Sequence, residues 1–286
     1  DISMTSSSGV FYGIYNLSGA SSNTINMNSN NVRNITLVGT TGSAYGIHWT
    51  SATNISVSNN NVYNMSRNAA GGLYGIYSGS SSVNETVSGN TVYDLVNTGA
   101  SSSSIYGIYQ NTGSGTKLFQ NNSVYNLTAN GGTTLYGIYV GYGTTVDLSG
   151  NTVYGLTNTG GTSGTMYGIG RGSVATTVSI YNNKIYGLSS TSTGPSLYGV
   201  YIGGGTTSNI YNNLIGDISA TAANSAIPVA GIYLSGGTTV NVYYNTVYIS
   251  GTSSGALFGS TALYASSTPT VDVRNNILVN ECTPVG

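Results

Sequence analysis

Seven carboxylates, one histidine, one cysteine and 25 tyrosines are the side chains of this 286-residue chain that could do acid–base, metal or stacking chemistry. The acids are Asp1, Glu85, Asp94, Asp147, Asp217, Asp272 and Glu281. Cleaving a glycosidic bond needs two carboxyl groups flanking it, and metal-assisted chemistry needs an acidic or His/Cys cluster. These acids are scattered singly, with no Asp-rich metal loop and no nucleophile elbow around them. The sole histidine, His48, stands where most equivalent positions carry Tyr, so it is expected to be an aromatic stand-in between Tyr15 and Tyr77. A single cysteine, Cys282, cannot form an internal disulfide framework. The expectation is no catalytic, cofactor-binding or metal-binding residue in this chain, and no cofactor.

What positions these residues is a repeat. Tetrads like Tyr136-Gly137-Ile138-Tyr139 begin at Tyr12, Tyr45, Tyr74, Tyr106, Tyr136, Tyr167, Tyr198, Ala230 and, in degenerate form, Thr261. The gaps are 33, 29, 32, 30, 31, 31, 32 and 31 residues, which makes nine repeats. Aligned on the tetrad, one column is Asn throughout: Asn30, Asn60, Asn90, Asn122, Asn151, Asn183, Asn213, Asn245 and Asn276. Two residues later comes an aliphatic side chain in every repeat, from Val32 to Leu278, and three residues before the Asn stands Met27, Val57, Val87, Phe119, Leu148, Ile180, Ile210, Val242 or Val273. Apolar residues alternate, as in Val146-x-Leu148, and Thr, Val, Ile and Tyr favour strands.

Three short strands per repeat of about 31 residues suit one coil of a parallel β-helix; propeller blades are longer. The fold expected is therefore all-β: a single right-handed parallel solenoid of about nine coils and three parallel sheets spanning residues 1–286. The Asn column is expected at a tight corner, where Asn tolerates left-handed backbone and its amides can hydrogen-bond from coil to coil. Ile14, Ile47, Ile76 and their equivalents should form one interior stack and pairs such as Val146/Leu148 another. Polar, Gly/Ser/Thr-rich connections of unequal length, such as residues 157–165 and 219–227, should lie on one side. At neither end does a polar cap appear, so a piece of a longer chain is expected.

Since stacked strands lie about 4.8 Å apart, Asp94 and Asp217, which share a column four coils apart, should be roughly 19 Å from each other, as should Asp147 and Asp272. That exceeds the carboxyl spacing of either glycosidase mechanism. Glu85 and Lys117 occupy an apolar slot in adjacent coils and are expected to pair, either inside or turned outward by a bulge with Val83 and Leu118 filling the interior. Tyr15, His48, Tyr77, Tyr109, Tyr139, Tyr201, Tyr233 and Tyr264 form one outward aromatic column; Tyr63, Tyr93, Tyr125, Tyr154, Tyr186 and Tyr248 form another. Such columns either stiffen the rod or offer glycans a platform. A Thr row (Thr24, Thr116, Thr145, Thr177, Thr207, Thr239, Thr270) is the type that ice-binding solenoids present, but the next outward column is mixed.

A net charge of −1 from 13 charged side chains gives no electrostatic case for nucleic acid, and no apolar run is long enough for a membrane-spanning helix. The Asn column with stacked aliphatics resembles the right-handed β-helices of the pectate-lyase-like class. The YGIY…GTTV…NTVY…L repeats are similar to β-helix regions of large bacterial surface adhesins exported by the type 9 secretion pathway. That resemblance implies a non-catalytic structural or adhesive segment at the extracellular bacterial surface. Glycans, surfaces or other parts of the same large protein would be its partners, without nucleic acid or membrane insertion. A carbohydrate-binding or carbohydrate-active β-helix is the first alternative reading and an ice-binding solenoid the second.

Overall fold

The computed structural model describes residues 2–5, 8–17, 23–79, 84–99 and 104–285. Each repeat folds into one coil of a β-solenoid, and among the described residues there is no helix. The strands stack into three parallel sheets of eleven, nine and nine strands. Within a coil the chain runs from the tetrad sheet (Phe11–Asn16 to Ser260–Ala265), through a glycine-rich corner, into a second sheet (Thr24–Asn28 to Thr270–Arg274). It then turns at the Asn corner into a third sheet, which includes Asn31–Val38 and Ile277–Pro284.

Register follows the repeat alignment. Ile14, Ile47 and Ile76 are neighbours in one column, and Ile25, Ile55 and Glu85 in another. One continuous apolar core results, with most of its side chains fully shielded from solvent. In the tetrad, two consecutive residues face inward where strict alternation allows one. Gly75 permits this: a Cβ there would lie 2.4 Å from Val92 Cγ1 and 2.6 Å from the Gly107 carbonyl oxygen. The glycine lets the third-sheet Val fill the inside of the turn, so both tetrad tyrosines emerge on the outer face.

The Asn ladder forms, with one change from expectation. The left-handed residue is the one before the ladder Asn: Ser29, Asn59, Gly89, Asn121, Gly150, Asn182, Asn212, Tyr244 and Asn275. The ladder Asn makes the hydrogen bonds instead. Backbone N–H and side-chain Nδ2 of Asn30 both donate to Oδ1 of Asn60 at 2.9 Å. The same pair of bonds joins Asn60 to Asn90, Asn90 to Asn122, and so on to Asn245 and Asn276. Nδ2 also donates backward to the preceding coil, Asn90 to the Val57 carbonyl and Asn122 to that of Val87, each at 2.8 Å. One side chain thus satisfies backbone groups of two neighbouring coils at a corner where no sheet can.

A second left-handed corner lies four residues after the ladder Asn, at Asn34, Asn64, Asp94, Asn126, Gly155, Gly187 and Asp217. Asn, Asp and Gly are the residues that adopt this conformation at least cost. The connections between third sheet and tetrad sheet lie on one corner and hydrogen-bond to one another: Gly131 N–H donates to Thr159, Thr193 to Gly161 and Asn224 to Thr193. They are laddered turns and not independent loops.

Candidate functional site

The described carboxylates come to lie apart, each with its own business. Asp94 and Asp217 are exposed left-handed corner residues; Asp94 accepts from Asn126 Nδ2 at 3.1 Å. Asp147 accepts from Ser149 Oγ at 2.5 Å, Tyr181 Oη at 3.0 Å and Gln120 Nε2 at 3.1 Å. Asp272 pairs with Arg274 at 2.6 Å and accepts from Tyr243 Oη at 2.7 Å; the guanidinium first, then the phenol, hold its carboxyl below the usual range. Glu281 accepts from Tyr248 Oη at 2.7 Å. Asp1 lies outside the described residues, and so does Val83. Among the described residues no three His, Cys, Asp or Glu side chains gather as a metal site would require. Among the described residues no helix is long and apolar enough to cross a membrane, which says nothing of a β-barrel. Cys282 sits within the last strand, paired in register with Gly251, half-buried against the core, and burial raises its thiol pKa.

His48 occupies the aromatic column as its sequence position implies. Its ring stacks on Tyr15 at 4.9 Å and on Tyr45 at 4.7 Å and meets Tyr77 edge-on at 4.7 Å. It is buried and neither ring nitrogen has a hydrogen-bond partner. Desolvation pushes its pKa down to about 4, so the neutral imidazole serves as an aromatic ring.

Glu85 and Lys117 pair inside the coil. Nζ lies 3.3 Å from Oε1 and both side chains are fully buried; Leu118 faces the other way and is half-buried. Ser78 Oγ donates to the same carboxylate oxygen at 2.8 Å. Burial pushes the Glu85 carboxyl up and the Lys117 ammonium down, while their mutual attraction opposes both. The Trp49 indole N–H also favours the ionised carboxylate, although it falls short of full hydrogen-bond geometry. Both side chains are shielded from solvent, so the pair is a structural feature of the core.

Two further buried cations were not foreseen. Arg67, in the third-sheet column between Leu37 and Asn97, donates to the carbonyls of Ala69, Gly42, Gly72, Thr40 and Ala70. Arg171 donates to the carbonyls of Val140 and Gly141, and burial lowers its pKa to about 10. A guanidinium has five donors in a fixed fork, which suits a turn full of unpaired carbonyls. In sequence the only sign was a charged residue at an inward-facing place of a strand.

The aromatic surface is larger than the sequence columns implied. Tyr12, Tyr45, Tyr74, Tyr106, Tyr136, Tyr167 and Tyr198 also face outward and interlock with the column of Tyr15 and His48. Tyr74 lies 4.7 Å from both Tyr45 and Tyr106 and 5.0 Å from Tyr77 in its own coil. Desolvation raises the phenol pKa of Tyr74, Tyr109, Tyr136 and Tyr167 far above the usual value, and neighbouring phenols add to it. On the third sheet Tyr63, Tyr93, Tyr125, Tyr154 and Tyr186 stack at 4.7–5.0 Å with interplanar angles of 4–9°. Rings stacked this way cover one another's faces. They present edges and hydroxyls to solvent, whereas sugar rings pack on open aromatic faces.

The Thr row occupies the outer face of the second sheet, half-buried or exposed, and Asn54 and Asn84 interrupt it, with Asn84 Nδ2 donating to Asn54 Oδ1 at 2.9 Å. At the corner between tetrad and second sheets runs an open groove of about 450 Å³. It is lined by Gly113, Ser114, Gly143, Thr144, Ala175, Thr176, Gly205, Thr206 and Thr238, none of them a general acid or base. No family model, no curated protein and no solved structure matches this chain.

Proposed function

We propose that this chain is a structural and adhesive β-solenoid segment of a secreted or bacterial cell-surface protein, without catalysis of its own. One observation carries the reading: most of the described side chains that could do chemistry are engaged in coil-to-coil contacts. Asn amides bond to the next Asn, phenols stack on phenols, and the one buried acid is neutralised by the next coil's lysine. The similarity of the repeats to adhesins exported by the type 9 pathway belongs with this reading, as does a surface nearly free of charge. Glycans, surfaces or other parts of the same large protein are its partners, and nucleic acid is not. Edge-on rings do not favour a glycan platform, and a Thr row broken at Asn54 and Asn84 does not favour ice binding.

The test is made on the source cells. Antibodies against the segment are expected to label intact cells, and deleting codons 1–286 from the parent gene should lower attachment to surfaces at unchanged growth. Labelling only after permeabilisation would overturn the surface placement. Release of reducing sugar from a polysaccharide panel by the purified protein would overturn the non-catalytic half.

A further inference from the structure

The tyrosine ladder on the third sheet lacks one rung. Its column runs Tyr63, Tyr93, Tyr125, Tyr154, Tyr186, then Gly216, then Tyr248. Strand Lys184–Ser190 pairs with Leu214–Gly216 through Ile185 and Ile215, which sets Gly216 beside Tyr186, and Gly216 pairs directly with Tyr248. With a coil rise of about 4.8 Å, Tyr186 and Tyr248 are rooted about 9.6 Å apart, two stacking distances with a glycine in the place of the intervening ring. Apart from its two chain neighbours, the only atom within 4 Å of where a Cβ on Gly216 would lie is the Tyr248 carbonyl oxygen at 3.0 Å, and no side chain from another coil comes that close. The two flanking rings are 41% and 45% exposed, whereas Tyr63, Tyr93, Tyr125 and Tyr154 are half-buried by their neighbours. Leu214, 51% exposed, borders the opening on the same strand. Tyr248 is tethered by its hydroxyl to Glu281.

The glycine that replaces a tyrosine in the tetrad sheet behaves differently. At Gly170 a Cβ would strike Tyr139 Cδ2 at 2.6 Å and Tyr167 Cδ2 at 2.9 Å, and Tyr167 stacks on Tyr201 at 4.3 Å. Neighbouring rings have filled that place. At Gly216 none has.

We propose that the Gly216 gap is a binding slot for the flat aromatic ring of a small phenol, sandwiched between Tyr186 and Tyr248. The ladder itself shows the preferred occupant, since a phenol ring fills the equivalent place in each of the five coils from Tyr63 to Tyr186. Leu214 supplies an apolar edge, and the backbone at Gly216 forms the floor.

The probe is 4-methylphenol, titrated into the whole chain carrying ring-labelled tyrosine and followed by NMR. The Tyr186 and Tyr248 ring resonances are expected to shift together, and Tyr186→Ala should weaken the effect on Tyr248 about tenfold. Gly216→Tyr supplies the missing ring covalently. The φ of Gly216 is not left-handed, so the change needs only a few tenths of an ångström of give at the Tyr248 carbonyl. This variant should keep its β-sheet circular dichroism, gain thermal stability and lose the 4-methylphenol response. An unchanged response in folded Gly216→Tyr, or no response at Tyr186 and Tyr248 in the parent, would overturn the slot. Methyl β-D-glucopyranoside is run in parallel; shifts from the glucoside without shifts from 4-methylphenol would overturn its assignment to aryl rings.

Discussion

Among single residues, His48 carries the clearest pH signature. Its folded pKa of about 4 lies below the ordinary value of 6.5, so the unfolded chain binds the proton first as pH falls. The stability it confers is intact above pH 6.5 and is lost as pH drops towards 4. With its partial solvent contact discounted, the loss is about 2 kcal/mol. Thermal melts across this window should show the loss in the parent and a smaller one in His48→Phe, which keeps the ring and removes the titration. The Glu85–Lys117 pair gives a second residue-scale prediction. Glu85→Gln or Lys117→Met alone leaves one buried partner uncompensated and should cost about 3–5 kcal/mol in urea unfolding. The flanking coils carry Ile55 and Val146 in the same column. Glu85→Ile with Lys117→Val should therefore recover most of that loss or exceed the parent. The pair was legible as a pair because opposite charges fell in one slot of adjacent repeats. That it lies inside was not, because a one-residue bulge reverses which face a strand residue takes.

Among structural elements, the Asn corner carries the most hydrogen bonding per side chain. Asn122→Ala would leave the backbone N–H and Nδ2 of Asn90 without their acceptor and the Val87 carbonyl without its donor, all in the interior. The expected cost is about 2–4 kcal/mol. Asn276→Ala, at the partly exposed last rung, should cost less than half as much; equal losses at the two positions in chemical denaturation would refute the ladder as a stabilising device. Repetition in the sequence showed where this corner is. The division of labour within it, left-handed backbone at Asn121 and hydrogen bonding at Asn122, is settled only by the three-dimensional fold. Asn at both positions in several coils makes the two roles indistinguishable by residue type.

For the whole molecule, each coil touches only the coils above and below, so stability is close to a sum of coil and interface terms. Excising residues 136–166 removes 31 residues and joins Leu135 to Tyr167, the register partner of Tyr136, so the repeat stays in phase. The shortened chain is expected to keep its β-sheet circular dichroism and melt only a few degrees lower. Excising half of that length would put tetrad against third sheet and should prevent folding. A shortened chain of eight coils that fails to fold would show that the rod behaves as one indivisible domain.

The repeat alone determined the solenoid, its three sheets, the column assignments and the laddering of Asn. A period of about 31 residues leaves one way to bury like on like, and register then follows without further information. Tertiary structure decided whatever depends on which way a side chain turns or whether a neighbour moves in: that Glu85 and Lys117 face the core, that Arg67 gathers turn carbonyls, and that the rings show their edges. It also decided that the vacancy at Gly170 is filled while the one at Gly216 stays open. A repeat specifies backbone placement, because parallel pairing is periodic. It leaves the outer side chains free, because there each one settles against neighbours that differ from coil to coil.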